Sequence, residues 1–202
     1  MAWISHAERR DAFAKAERKS FMIYVILANG FEEVEALTPI DVLRRAGYEV
    51  TTVGITGKTA MGAHGIPVVC DVLAEDAGEL RDAELVVFPG GMPGAENIDL
   101  FDKTDVYIRS ALSNGGFVGA ICAAPMVLGK RGYLEGRRAV CFPGFEEYLK
   151  GAEIVSGADA VRDGAFVTSR CMGTALSFAL ELVECLGGRE LRDRTERAVK
   201  AL

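Results

Sequence analysis

The chain has 202 residues, 50% of them hydrophobic and 26% charged, with a formal net charge of −6. That length and apolar share suit one α/β domain with a covered core and fall short of two ordinary ones. The acidic balance speaks against a nucleic-acid partner, and no stretch approaches the ~20 apolar residues of a membrane span.

Residues 1–21 differ from the rest. Glu8, Arg9, Arg10, Asp11, Lys15, Glu17, Arg18 and Lys19 are interspersed with alanines, and the apolar centre of a secretory signal is missing. This segment reads as a frayed or helical extension to a single domain over 22–202. From Met22 strands and helices alternate. A strand over Met22–Leu27 is followed by a helical stretch to Arg45, in which Thr38-Pro39 either kinks the helix or restarts it as cap and first residue. Glu49–Ile55 reads as the second strand, and Thr59–Val69 as a glycine-broken ribbon. Leu85–Phe88 is a short buried strand ending in Pro89-Gly90-Gly91, and a helix near Lys103–Ser113 leads to the apolar strand 117–121. Arg138–Cys141 is a strand candidate, and Val161–Thr168 a hairpin around Asp163-Gly164. Apolar residues at helical spacing predict a helix over Thr174–Leu186, stopped by Gly187-Gly188, with a short charged helix over Glu190–Lys200.

This alternation argues for a doubly wound, mainly parallel sheet, in which ligands bind at the carboxyl ends of strands. Asn29-Gly30, Gly90-Gly91 and Cys122 all fall at such ends. Cys122 stands where strand 117–121 gives way to Ala123-Ala124-Pro125 and a helix. A thiol at that corner faces unpaired helix N–H groups and the positive end of the dipole, which favour the reactive thiolate. The competing reading is a buried structural thiol. Glu35 lies one turn inside the first helix, where a carboxyl group can turn towards neighbouring strand ends. Glu32 and Glu33 read as ordinary charge at a helix start. Gly90 and Gly91 offer unobstructed N–H groups for an oxyanion. Arg170 either lines the same crevice or simply ends a polar strand.

A Cys–His nucleophile needs an imidazole within reach. The chain has two histidines: His6 sits in the extension and His64 in the ribbon, where it reads as a surface residue unless it reaches an active site, its own or one across a subunit interface. Five cysteines form no Cys-x-x-Cys pair, so no metal is expected. Cys70, Cys141, Cys171 and Cys185 read as ordinary free thiols, consistent with a reducing, cytoplasmic setting.

Four strings in order, ILANGFEEVEALTPIDVLRRAG (26–47), VVFPGGMPGAENI (86–98), AICAAP (120–125) and TSRCMGTALSFALELVECLGG (168–188), resemble the ThiJ/PfpI superfamily. Within it they resemble the branch of protein deglycases and bacterial YajL-type proteins. The resemblance implies a flavodoxin-like αβα sandwich related to class I glutamine amidotransferases. It also implies a homodimer with the helix carrying Asp41 to Arg45 near its interface. Cys122 matches the family's oxidisable nucleophile, Glu35 the acid bonded to it, and Gly91 and Ala123 the amides of an anion pocket. Three departures stand out. Phe142 occupies a position where some members carry histidine, Cys171-Met172 replaces Gly-Pro, and Ala123 replaces the histidine of the peptidase-like branch. Peptidase and amidotransferase activities are therefore not expected, the latter for want of a downstream His-x-Glu. The implied function is cysteine-dependent handling of reactive 2-oxoaldehydes, free or as adducts on protein, without a cofactor. The alternative is an oxidative-stress sensor or redox-regulated chaperone acting through Cys122.

Overall fold

The computed structural model describes residues 22–200; the charged segment before Met22 lies outside them. In chain order the elements are β1 (Met22–Leu27), α1 (Glu33–Arg45), β2 (Val50–Gly54), β3 (Thr59–Met61), β4 (Pro67–Val69) and β5 (Val72–Leu73). Then follow α2 (Ala74–Ala77), β6 (Ala83–Phe88), α3 (Gly94–Leu100), α4 (Thr104–Ser113), β7 (Phe117–Ile121) and α5 (Pro125–Gly129). The rest are β8 (Arg138–Ala139), β9 (Glu153–Ile154), β10 (Ala160–Asp163), β11 (Phe166–Ser169) and α6 (Ala175–Lys200).

Because successive strand side chains point to opposite faces, β1 feeds two cores. Ile23, Val25 and Leu27 pack with Ile40 and Leu43 of α1 and Phe178 and Leu182 of α6. Tyr24 and Ile26 pack on the other side with Ile98 of α3 and Tyr107 and Ile108 of α4. Burial on both faces explains the near-continuous apolar runs of β1, β6 and β7. The main sheet has seven strands in the order β10-β11-β7-β6-β1-β2-β5. All neighbours are parallel except β10 and β11. This is the expected flavodoxin-like αβα sandwich. The chain runs outwards from β1 to β2 and β5, then crosses to β6 and β7 on the other side. That reversal opens a crevice at the strand carboxyl ends, where β1, β6 and β7 deliver Glu35, Gly90 and Cys122.

Several local expectations need correction. Pro39 sits inside an unbroken α1, because the helix begins at Glu33 and packing supplies what the missing N–H removes. The strand expected over Arg138–Cys141 shrinks to the two residues of β8, which pair with β9 in a separate small sheet. Its continuation is diverted, since Phe142 N–H bonds to Cys122 O. The stop expected at Gly187-Gly188, by contrast, is present: Gly188, at φ +77° and ψ 175°, is a non-helical break that divides the α6 span into two helical stretches. The hairpin turns at Gly164-Ala165, one residue later than expected, with Gly164 at φ +59°. Neither β5 nor α3 was foreseen.

Gly119 of β7 is where α6 approaches the sheet. A Cβ there would lie 2.9 Å from Phe178 Cζ and 3.0 Å from Leu182 Cδ2. Gly119→Val is expected to destabilise the protein by about 1–3 kcal/mol through overpacking, read as a lower urea midpoint; an unchanged midpoint would mean that α6 can move away freely.

Candidate functional site

Cys122 adopts φ +64°, a left-handed conformation that costs a side chain bearing Cβ about 1–2 kcal/mol. Two backbone hydrogen bonds hold it: Cys122 N–H donates to Ser169 O at 2.8 Å, and Phe142 N–H donates to Cys122 O at 2.8 Å. The corner is thus clamped between the end of β11 and the segment after β8, which turns the half-buried side chain out of the sheet. The thiolate-favouring effect expected of a helix start is outweighed here by burial and by the charge of Glu35. α5 is five residues long and starts three residues later, at Pro125. The groups that reach the sulfur are the discrete backbone N–H groups of Gly91 and Ala123.

Glu35 is 1% exposed. Its Oε2 accepts from Gly90 N–H at 3.0 Å. Its Oε1 is buried without a partner of ordinary hydrogen-bond geometry, while the carboxyl group interacts with the Cys122 thiol. Burial pushes the Glu35 carboxyl up to about 7; interactions with Cys122 and Gly90 pull against burial, and the Glu32 charge adds to it. Burial and the charge of Glu35 also push the Cys122 thiol up, against the Gly91 and Ala123 N–H groups. Two acids side by side in a poorly solvated pocket do not both ionise near neutrality. Below about 7 Glu35 holds a proton of its own; above it the pair carries one proton between them and titrates as a unit.

The glycines at the end of β6 make this contact possible. A Cβ on Gly90 would lie 2.5 Å from Glu35 Oε2 and 2.7 Å from Cys122 Cβ. Gly91 has φ +83°, and a Cβ there would lie 2.4 Å from Glu32 N. Glu32 secures the same junction: its N–H donates to Gly90 O at 2.9 Å, and its carboxylate caps α1 by accepting from Glu35 N–H at 2.7 Å.

Asn29 and Gly30, expected as possible pocket lining, tie neighbouring loops together. Asn29 Oδ1 accepts from Met61 N–H at 2.9 Å and Asn29 O accepts from Asn97 Nδ2 at 2.9 Å. Gly30 O accepts from Gly94 N–H at 3.1 Å. Arg170 ends β11 and pairs with Asp159 at 3.1 Å, with its Nε buried and unpartnered. Phe142 adjoins Cys122 through the backbone bond already described.

Glu33 escaped the sequence reading. It is 4% exposed and turns inward to hold the ribbon. Oε1 accepts from His64 N–H at 2.7 Å, and Oε2 lies 2.8 Å from His64 Nδ1. Burial alone would raise this carboxyl, but hydrogen bonds from His64 and Ile66 hold it below its ordinary value. The signal available in sequence was Gly62, where a Cβ would lie 2.3 Å from Glu33 Oε1. Among the described residues, Glu32, Glu33 and His64 bring potential metal-ligand atoms within 4.8 Å of one another. Glu33 and His64 are already committed to each other, and Glu32 to its cap.

Cys70 and Cys141 are buried, Cys171 and Cys185 half-buried, and none is in a disulfide. Burial pushes Cys141 and Cys185 up to about 12. A cavity of about 540 Å³ beside Thr56, Lys58 and Lys103 includes none of the residues around Cys122.

Because Glu35 binds its proton more tightly in the folded protein than in the unfolded chain, its contribution to stability falls as pH rises from about 4.5 to about 7. Glu35→Gln removes the buried charge while keeping the shape. It is expected to be more stable than wild type at pH 8, by up to about 3 kcal/mol, with the gain shrinking towards pH 5. Parallel urea curves at the two pH values check this, and a gain that grows at low pH would overturn it.

Residues 22–185 match the DJ-1/PfpI family. The chain is 39% identical over 169 residues to protein dj-1beta of Drosophila melanogaster, covering 82% of this chain and 89% of that protein. It is 32% identical over 166 residues to a protein named a deglycase in Pyrococcus horikoshii, covering 81% and 98% respectively. Identity to DJ-1 homolog B of Arabidopsis thaliana is 34% over 202 residues, covering 93% of this chain but 45% of that protein, so the chain spans about half its length. The crystal structure of Drosophila melanogaster DJ-1beta superposes with a TM-score of 0.83 at 34% identity, covering 89% of this chain and 97% of that one. Sequence and fold agree, and the chain belongs to the DJ-1/PfpI family.

Proposed function

We propose that this protein converts reactive 2-oxoaldehydes, free or freshly added to protein amines and thiols, into 2-hydroxy acids through Cys122. The observation that carries this reading is the Cys122 sulfur set between the Gly91 and Ala123 N–H groups and the buried Glu35 carboxyl. With the shared proton on Glu35, the sulfur is a thiolate. It adds to the aldehyde carbon, and the developing alkoxide takes the proton from Glu35, giving a hemithioacetal. The Gly91 and Ala123 N–H groups, released as the sulfur loses its charge, stabilise the oxyanion. Glu35 then removes the proton from the former aldehyde carbon and delivers it to the adjacent carbon through an enediol. Water hydrolyses the resulting thioester, releasing the 2-hydroxy acid and restoring the thiol. With an adduct on an amine, Cys122 displaces the amine and the same hemithioacetal forms. No step calls for a cofactor. The deglycase name of the Pyrococcus relative supports the substrate class.

Phe142 favours a second reading, because no imidazole assists the thiol from that position. In a redox sensor or chaperone, two equivalents of peroxide convert the Cys122 thiolate to sulfinate, releasing two waters. Gly91, Ala123 and protonated Glu35 then bind the sulfinate oxygens. Free thiols support a cytoplasmic setting, and among the described residues no helix is long and apolar enough to cross a membrane. We take residues 22–202 to act as one unit.

Methylglyoxal turnover to lactate is expected in wild type, with loss of at least about a hundredfold in Cys122→Ser and in Glu35→Leu. The rate of iodoacetamide labelling at Cys122 is expected to keep rising above the ordinary thiol range, because burial and the charge of Glu35 push the thiol up, and that rise is expected to move to lower pH in Glu35→Leu. Lactate formation undiminished in Cys122→Ser would end the enzymatic reading. Peroxide-dependent sulfinate at Cys122 without turnover would select the sensor.

The same reading includes a homodimer. Val34 and Leu37 of α1 are 42% and 39% exposed, and an open groove of about 460 Å³ is lined by Leu37, Val42, Leu176 and Val199. Asp41 and Arg45 pair at 2.7 Å along its edge, both more than half exposed. Light scattering at micromolar concentration is expected to give twice the chain mass, and Leu37→Glu to reduce it to one; a wild-type monomer would refute the dimer.

A further inference from the structure

Three long apolar side chains stay half exposed on the segments that hold Cys122: Met92 at 47%, Phe142 at 43% and Met172 at 50%. Met92 follows Gly91, whose N–H reaches the sulfur. Phe142 donates its N–H to Cys122 O, and Met172 lies three residues beyond Ser169, whose carbonyl accepts from Cys122 N–H. The Phe142 ring is steadied edge-on against Phe145 at 6.4 Å. Acidic groups act on the site itself: Glu35 on the thiol, Glu32 on Glu35, and Glu146 on Cys141, the residue before Phe142. Arg170, the cation at the end of β11, is neutralised by Asp159 at 3.1 Å.

We infer that Met92, Phe142 and Met172 form an apolar mouth to the Cys122 site, which selects neutral electrophiles bearing an apolar or aromatic substituent and turns away anionic ones. The inference rests on the proposed nucleophilic role of Cys122 and specifies its substrate class: alkyl or aryl 2-oxoaldehydes in preference to carboxylate-bearing aldehydes. An apolar substituent loses exposed surface on entering such a mouth, whereas an anion meets the field of Glu35 and Glu32, with the Arg170 guanidinium already paired to Asp159.

The test uses three reagents that share one reaction: iodoacetanilide, iodoacetamide and iodoacetate. In each, the Cys122 sulfur forms a bond to the methylene carbon and iodide leaves. Rates at Cys122 are followed by peptide mass spectrometry and divided by the rates with free N-acetylcysteine. The anilide is expected to exceed the amide by about fivefold or more after this correction, and the acetate to fall about tenfold below it. Phe142→Ser and Met172→Ser are each expected to lower the anilide preference by about two- to threefold. Leu100→Ser, which changes an apolar side chain 75% exposed elsewhere, leaves that preference intact. An anilide preference no greater than that of the free thiol, or one untouched by both rim variants, overturns the inference. If the preference holds while methylglyoxal is not turned over, the enzymatic reading fails and the apolar mouth stands.

Discussion

A carboxyl group and a thiol buried side by side constrain everything around them. Glu35 and Cys122 share a pocket that solvates neither charge well, and their contact dictates the chain nearby. Position 90 has to be glycine, because a Cβ there would collide with both partners. The N–H of that same glycine is the donor that fixes the carboxyl group. Glu32 must fold back to cap α1, since its side chain holds the backbone N–H of Glu35 and its own N–H holds Gly90 O. Three strand ends are thus joined around one proton. The sheet reversal between β1 and β6 is what brings them within reach of one another.

The backbone of Cys122 shows how such a site is kept rigid. Its left-handed φ costs about 1–2 kcal/mol, comparable to the net gain of one or two hydrogen bonds. Bonds to Ser169 and from Phe142 provide that compensation on opposite sides of the residue. Relaxation to an ordinary conformation would break at least one of them and carry the sulfur away from Gly91. The strain is local, and the restraint comes from segments distant in sequence.

The parts legible in the sequence were those written in short-range terms. Strands β1, β6 and β7 announce themselves as apolar runs closed by turn residues, and Cys122 stands at a strand-to-helix change that a reader of periodicity can find. Glu35 was legible from its place one turn into a helix. Glu33 was not: its burial depends on Gly62 and His64, some thirty residues away, and no local pattern separates an inward carboxylate from an outward one at a helix start. The same limit hid the role of Asn29, whose partners Met61 and Asn97 belong to other loops. The break in α6 at Gly188, in contrast, was legible locally. Two glycines weaken a helix by propensity, and the non-helical backbone of Gly188 separates the helical stretches on either side.

Phe142 gives the carboxyl group its particular importance in the proposed chemistry. A thiol nucleophile is ordinarily served by an imidazole, whose unperturbed pKa of about 6.5 lets it exchange a proton at neutral pH. Among the described residues, the one histidine is bound to Glu33, and Phe142 is the residue whose N–H bonds to the Cys122 carbonyl. A carboxyl group in water ionises far too readily to replace it. Burial changes that, raising Glu35 to about 7 and so bringing a carboxylic acid to the titration range of a histidine. The apolar surroundings of the site therefore serve two ends: they exclude water from the thiol, and they give its neighbour the acidity that proton exchange at neutral pH requires. Introducing polar residues around this pocket would lower the Glu35 value and so weaken, as a proton partner, the carboxyl group that interacts with the thiol. In this arrangement the missing imidazole and the buried acid are one design: the apolar shell that leaves no place for the first is what tunes the second.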